Sequence, residues 1–122
     1  MPYPITQQNE PNTQTATIAA TGNLSPAVQL PVGHELAAIL MPAVWTAAGI
    51  TFQAAYGNGS YANVFAAGGS EYALVCVALS YVVIPPGVLH GANWIKIRSG
   101  TSGSAVAQVA ARTLTLITRP TS

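Results

Sequence analysis

The sequence predicts an all-β chain: a single-domain antiparallel β-sandwich, jelly-roll-like, preceded by an extended N-terminal arm. Two observations carry this reading. Short apolar or alternating segments recur about every 8–12 residues, the spacing of sandwiches and barrels. Turn formers separate them, supplied by 11 glycines, 9 prolines and several Asn-Gly and Gly-Ser pairs. A length of 122 residues suffices for one core and not for two.

Residues 1–14 hold Pro2, Pro4 and Pro11 among glutamines and asparagines. Proline removes backbone donors and favours extended chain, so this stretch reads as an arm outside a sandwich of residues 15–122. Thr15–Thr21 alternates Thr with Ala and Ile, a period of two. Ala27–Leu30 is a short segment between Pro26 and Pro31, and Leu36–Met41 is an apolar run compatible with a helical turn, though Pro42 follows at once and a buried strand is preferred. Ile50–Tyr56 and Tyr61–Ala66 flank Gly57-Asn58-Gly59-Ser60, a hairpin pattern. Glu71–Ala78 and Tyr81–Ile84 follow, the latter ended by Pro85-Pro86-Gly87. Asn93–Arg98 is amphipathic, with Trp94, Lys96 and Arg98 on one side and Ile95 and Ile97 on the other. Ser99–Ser104 is a Gly/Ser turn, and Ala105–Thr118 closes the chain with Leu114 and Leu116 alternating against Thr113 and Thr115.

Charge is scarce. Hydrophobic residues make up 50 % and charged residues 6 %, against roughly 25 % charged in ordinary domains. The seven are Glu10, Glu35, Glu71, Lys96, Arg98, Arg112 and Arg119. Disorder requires the opposite balance. The composition instead points to a surface covered by other subunits, because interface centres are depleted in charge. A net charge of +1 argues against a nucleic-acid partner, whose phosphates demand several Lys and Arg. No apolar run reaches the length of a membrane span, and the first residues lack the pattern of a secretory signal. The single Cys76 sits in the run YALVCVAL and reads as a buried core thiol, consistent with synthesis in a reducing cytoplasm.

The residues offer little chemistry. Glu35 and Glu71 have no motif around them that supports a carboxylate pair. His34 and His90 lie in Gly/Pro-flanked segments and read as loop residues satisfied by backbone or solvent. With Cys76 and Glu35 they match no standard zinc spacing. No G-x-S-x-G is present, and GNGS and SGTSGS lack the lysine and helix of a phosphate loop. The expectation is a chain without catalytic residues, metal or cofactor; the rival enzyme reading is a small hydrolase around His34, His90 or Glu71. Six aromatic residues (Tyr56, Tyr61, Tyr72, Tyr81, Trp45 and Trp94) are candidates for a carbohydrate face, with Trp45 in a loop suited to stacking if exposed, but core or interface packing is the commoner fate of such rings and the preferred reading. Lys96 and Arg98 form a small basic strip suited to solvent or to an intersubunit salt bridge. The residues expected to meet a partner are Pro2, Tyr3, Pro4, Trp45, Trp94, Lys96 and Arg98.

Two stretches carry a resemblance. The first is an apolar lead followed by WTAAGITFQAAYGNGSYANVF, within residues 41–65; the second is WIKIRSGTSGSAVAQVAARTLTLITRP, residues 94–120. Together they cover somewhat more than a third of the chain. They resemble small β-sandwich virion proteins of tailed bacteriophages, of the capsid decoration (cement) type. The resemblance implies no catalysis and no cofactor. It implies a virion location, binding to the major capsid protein and to further copies of itself, often as a trimer, and a structural role for the turn Arg98–Thr101. The alternative is a head-fibre, tail-fibre or tail component that binds host carbohydrate through Trp45 and the loop tyrosines. The arm at 1–14 lies outside the shared pattern.

Overall fold

The computed structural model describes residues 12–57 and 59–121. Eight strands run β1 (Asn12–Ile18), β2 (Val28–Gln29), β3 (His34–Leu40), β4 (Ile50–Ala55), β5 (Ala62–Asn63), β6 (Tyr81–Val83), β7 (Trp94–Ser99) and β8 (Arg112–Pro120). They form two four-stranded sheets, β1-β8-β3-β6 and β2-β7-β4-β5, in which every pairing is antiparallel. Strand 1 pairs with 8, 2 with 7, 3 with 6 and 4 with 5. That nesting is a long double-stranded ribbon rolled on itself, the jelly-roll arrangement.

The core follows from alternation. Ile18, Leu36, Ile39, Leu114 and Leu116 project inward from the first sheet. Ile50, Phe52, Ile95 and Ile97 meet them from the second, all fully buried. Tyr72 stacks on Phe52, with ring centroids 6.2 Å apart and planes at 22°. Each such aliphatic or aromatic side chain contributes about 1.5–3 kcal/mol on burial. Cys76 lies in the same core, as its sequence context predicts. Burial pushes its thiol pKa up to about 11.

Several elements differ from the sequence expectation. The sandwich includes residues 12–14, which the sequence assigns to the arm: Asn12, Thr13 and Gln14 pair with Thr118, Ile117 and Leu116. The rest of the expected arm, with Pro2, Tyr3 and Pro4, falls outside the described residues. Glu71–Ala78 keeps the alternation of a strand, with Leu74 and Cys76 buried and Val75 and Val77 exposed, but forms only isolated bridges. Here the chain leaves β4, which Leu74 meets opposite Ile50, and turns to reach β3 through β6. The reversal at Val77–Ser80 places Leu79 at a φ of 61°. The last strand starts at Arg112, where its alternating run RTLTLITR begins, and residues 105–111 before it are irregular. Gln108 explains this. Its backbone bonds to Gly22 and Thr21 in place of a ladder partner, and its side chain is fully buried.

Candidate interaction surfaces

The outer face of the second sheet is polar and closed on itself. Trp94, Lys96 and Arg98 do share that face, as their spacing predicts, and pair with Ala55, Gln53 and Thr51 of β4. Arg98, however, is not part of an open basic strip: only 6 % of it is exposed. Its guanidinium donates to Glu71 Oε2 at 3.1 Å, to Asn63 Oδ1 at 2.7 Å and to Thr51 Oγ1 at 3.3 Å. Glu71 also accepts from the backbone and hydroxyl of Ser102, which draws the Gly/Ser turn over the arginine. The sequence hides this contact because Glu71 and Arg98 are 27 residues apart. Lys96 reaches over the Tyr61 ring, with Nζ 4.4 Å from its centroid. Trp94 is half-buried beside it.

The turn after Arg98 is a built element. Gly100 has a φ of 88°, and a β-carbon there would meet Ser104 O at 2.6 Å and Val106 N at 2.7 Å. Thr51 Oγ1 donates to Gly100 O at 2.7 Å. Near this end of the roll the Gln108 carboxamide ties three segments together. It donates to Thr46 O and Ser99 Oγ, and accepts from Thr46 N and Arg112 Nε. Trp45, in its loop, packs partly against the core, the commoner fate of such a ring, and donates its indole N–H to Ala48 O at 3.0 Å.

The opposite end carries a cavity of about 290 Å³. His34 and His90, 56 positions apart in sequence, both line it, with Gln29, Asn93 and Tyr56. His34 is not a loop residue: it opens β3, is buried, and lies 2.9 Å from Thr118 Oγ1 through Nδ1. His90 is exposed in a turn, and Tyr56 stands 98 % exposed at the rim. Glu35 and Glu71 do not form a carboxylate pair. Glu35 is buried at the start of β3 and accepts from Gly87 N, while Glu71 serves Arg98. Among the described residues no three His, Cys, Asp or Glu side chains gather to hold a metal ion. No described helix is long and apolar enough to cross a membrane.

The outer face of the first sheet is different. The register sets Thr15, Thr115, Leu40 and Tyr81 in one row, and Thr13, Ile117, Ala38 and Val83 in the next. Thr17 and Thr113 start a third, their hydroxyls 3.0 Å apart. No charged side chain lies in these rows; the next row of the same face holds Arg119 opposite Glu35. Leu40, Tyr81 and Val83 are exposed. Sequence reasoning missed this face. The signal for it is present, as Thr-x-Thr-x-Thr in β1 and alternating large apolar residues in Tyr81–Val83, but which strands lie side by side is set only by the roll.

The chain matches no family model, no curated protein and no solved structure.

Proposed function

We propose that this protein is a non-enzymatic structural component of a bacteriophage virion, a capsid decoration protein that binds and stabilises the major capsid shell as a homo-oligomer. One observation carries the assembly part of this reading: every charged side chain among the described residues has an intrachain partner. Glu35 binds Gly87, Glu71 pairs with Arg98, Lys96 covers Tyr61, Arg112 binds Gln108 and Thr46, and Arg119 donates to Ile84 O. Much of what remains outside is small or uncharged, with aliphatic and aromatic side chains exposed among it. A free monomer keeps such surface small and broken by charge. A subunit that spends its life against neighbours gains from the reverse, about 25 cal/mol per Å² of apolar area before association costs. Jelly rolls occur in capsid proteins and also in lectins, so the fold supports this reading without deciding it. The virion and the shell enter through the resemblance of residues 41–65 and 94–120.

The test is the thermal rupture of purified shells with and without the protein. Shells lacking it rupture at a lower temperature; equal rupture temperatures overturn the proposal.

A second reading, host-carbohydrate binding, is favoured by one feature. The cavity of His34 and His90 combines an exposed aromatic ring, Tyr56, with the amides of Gln29 and Asn93. Rings stack on sugars while amides bind hydroxyls. Trp45, packed on the core and bonded to Ala48, is less suited than Tyr56. On a glycan array, specific binding abolished by Tyr56→Ala supports this reading, and an empty array removes it.

A further inference from the structure

We infer that the outer face of the sheet β1-β8-β3-β6, centred on the Leu40–Tyr81 pair, is the surface on which a second copy of this chain packs. The inference rests on the homo-oligomer of the proposed function and requires neither the virion nor the shell.

Three features identify the occupant. The first is charge. The three rows around this pair contain threonine and apolar side chains alone, and the row beyond them holds one charge of each sign, Glu35 accepting from Gly87 N and Arg119 donating to Ile84 O, so two such faces meet without stranding an ion. A face of one sign would call for a partner of the other; a face uncharged at its centre and balanced at its rim is compatible with itself. The second is the edge. Among the described residues β6 is the outermost strand and bonds to β3 on one side only. Soluble monomers blunt such edges by keeping the strand short or with lysine, proline or an inward charge. Tyr81-Val82-Val83 is blunted by its three-residue length and by Pro85-Pro86 beyond it, which leaves its uncharged face and not its edge to meet a second copy; β1, NTQTATI, is also uncharged.

The third feature is area. Two rows of four residues and a third of two, with strands about 4.8 Å and rows about 6.6 Å apart, cover roughly 300 Å² in plan. Side chains standing off that plane raise the accessible area toward the low end of interface sizes, about 600 Å² per partner. Val83 is 64 % exposed and Tyr81 57 % exposed. Sheets stacked face to face lie about 10 Å apart with interdigitating side chains, a geometry these rows suit.

The experiment is light-scattering mass measurement on the purified full chain, wild type and Leu40→Lys/Tyr81→Lys, with circular dichroism to follow folding. The wild type is expected at a multiple of the 12.5 kDa chain, and the folded variant at one chain mass. A wild-type monomer, or a folded variant that keeps the wild-type mass, overturns the inference. Should the double variant not fold, hydrogen exchange of the wild type at high and low concentration decides instead. Concentration-dependent protection of β3 and β6 supports the face, and its absence overturns it. Shell rupture measured alongside separates the two proposals. An oligomer broken by the variant with no effect of the protein on shells leaves this inference standing alone. Shell stabilisation with an untouched oligomer leaves only the function.

Discussion

Arg98 and Glu71 meet at 3.1 Å with 8 % and 13 % of their side chains exposed, one on a central strand and the other on an irregular segment. The pair joins β7 to the chain that leaves the second sheet, and through Ser102 it closes the Gly/Ser turn. Removing one partner leaves the other largely buried and uncompensated, at about 3–5 kcal/mol. Arg98→Ala is therefore expected to lower the urea midpoint sharply. Arg98→Met with Glu71→Met together is expected to cost less than either single change, because no buried ion is stranded. If the double variant loses the sum of the singles, the two side chains are not coupled.

Gln108 makes the same argument with a neutral group. Its carboxamide satisfies Thr46 N, Thr46 O and Ser99 Oγ. Gln108→Ala orphans these groups and is expected to destabilise by about 2–3 kcal/mol in denaturant unfolding. Gln29→Ala, on an exposed side chain, is expected to stay within about 0.5 kcal/mol.

Two glycines with positive φ separate strain from crowding. Gly57, at 73°, has open space where a β-carbon would sit; Gly100, at 88°, has backbone atoms below 3 Å. Alanine at Gly57 is expected to cost about 1 kcal/mol, the left-handed penalty alone. Alanine at Gly100 adds a backbone clash, and a loss clearly above 3 kcal/mol or failure to fold is expected. Equal melting temperatures for the two variants would show that the Arg98–Thr101 turn adapts freely.

Cys76 predicts both a reactivity and a pH dependence. Its thiol, 7 % exposed, is expected to resist a thiol reagent at neutral pH in the folded state and to react at once in denaturant. Because the folded pKa is raised from near 9 to about 11, the folded protein holds the proton more tightly than the unfolded chain. That stabilisation is present in full below pH 9 and is lost as pH rises toward 11. Desolvation raises Tyr72 in the same direction. Alkaline unfolding should therefore become less steep in Cys76→Ala; an identical profile would place the effect on Tyr72.

Much of the fold was legible in the chain. Alternation located Thr15–Thr21, Asn93–Arg98 and the run RTLTLITR from Arg112, because a half-buried strand repeats every two residues, while Pro42 after Leu36–Met41 and the Gly-rich turn after Ile50–Tyr56 marked two more. The misplaced segment, 71–78, alternates as a strand does. Its backbone partners are lost to a sheet crossing, which leaves no local signal.

The candidate surfaces were legible only in part. The sequence by itself determined that charge is scarce, that Ile95 and Ile97 oppose Trp94, Lys96 and Arg98, and that Cys76 lies inside, since composition and period are properties of neighbours along the chain. Only the tertiary structure decided where the few charges go: Arg98 to a glutamate 27 residues away, and His34 to Thr118 across the sheet. It also decided which strands stand side by side, and so assembled the uncharged face of Thr15, Thr115, Leu40 and Tyr81. The physical reason is that rolling the ribbon sets contacts between residues up to 106 positions apart, and no window along the sequence spans that distance.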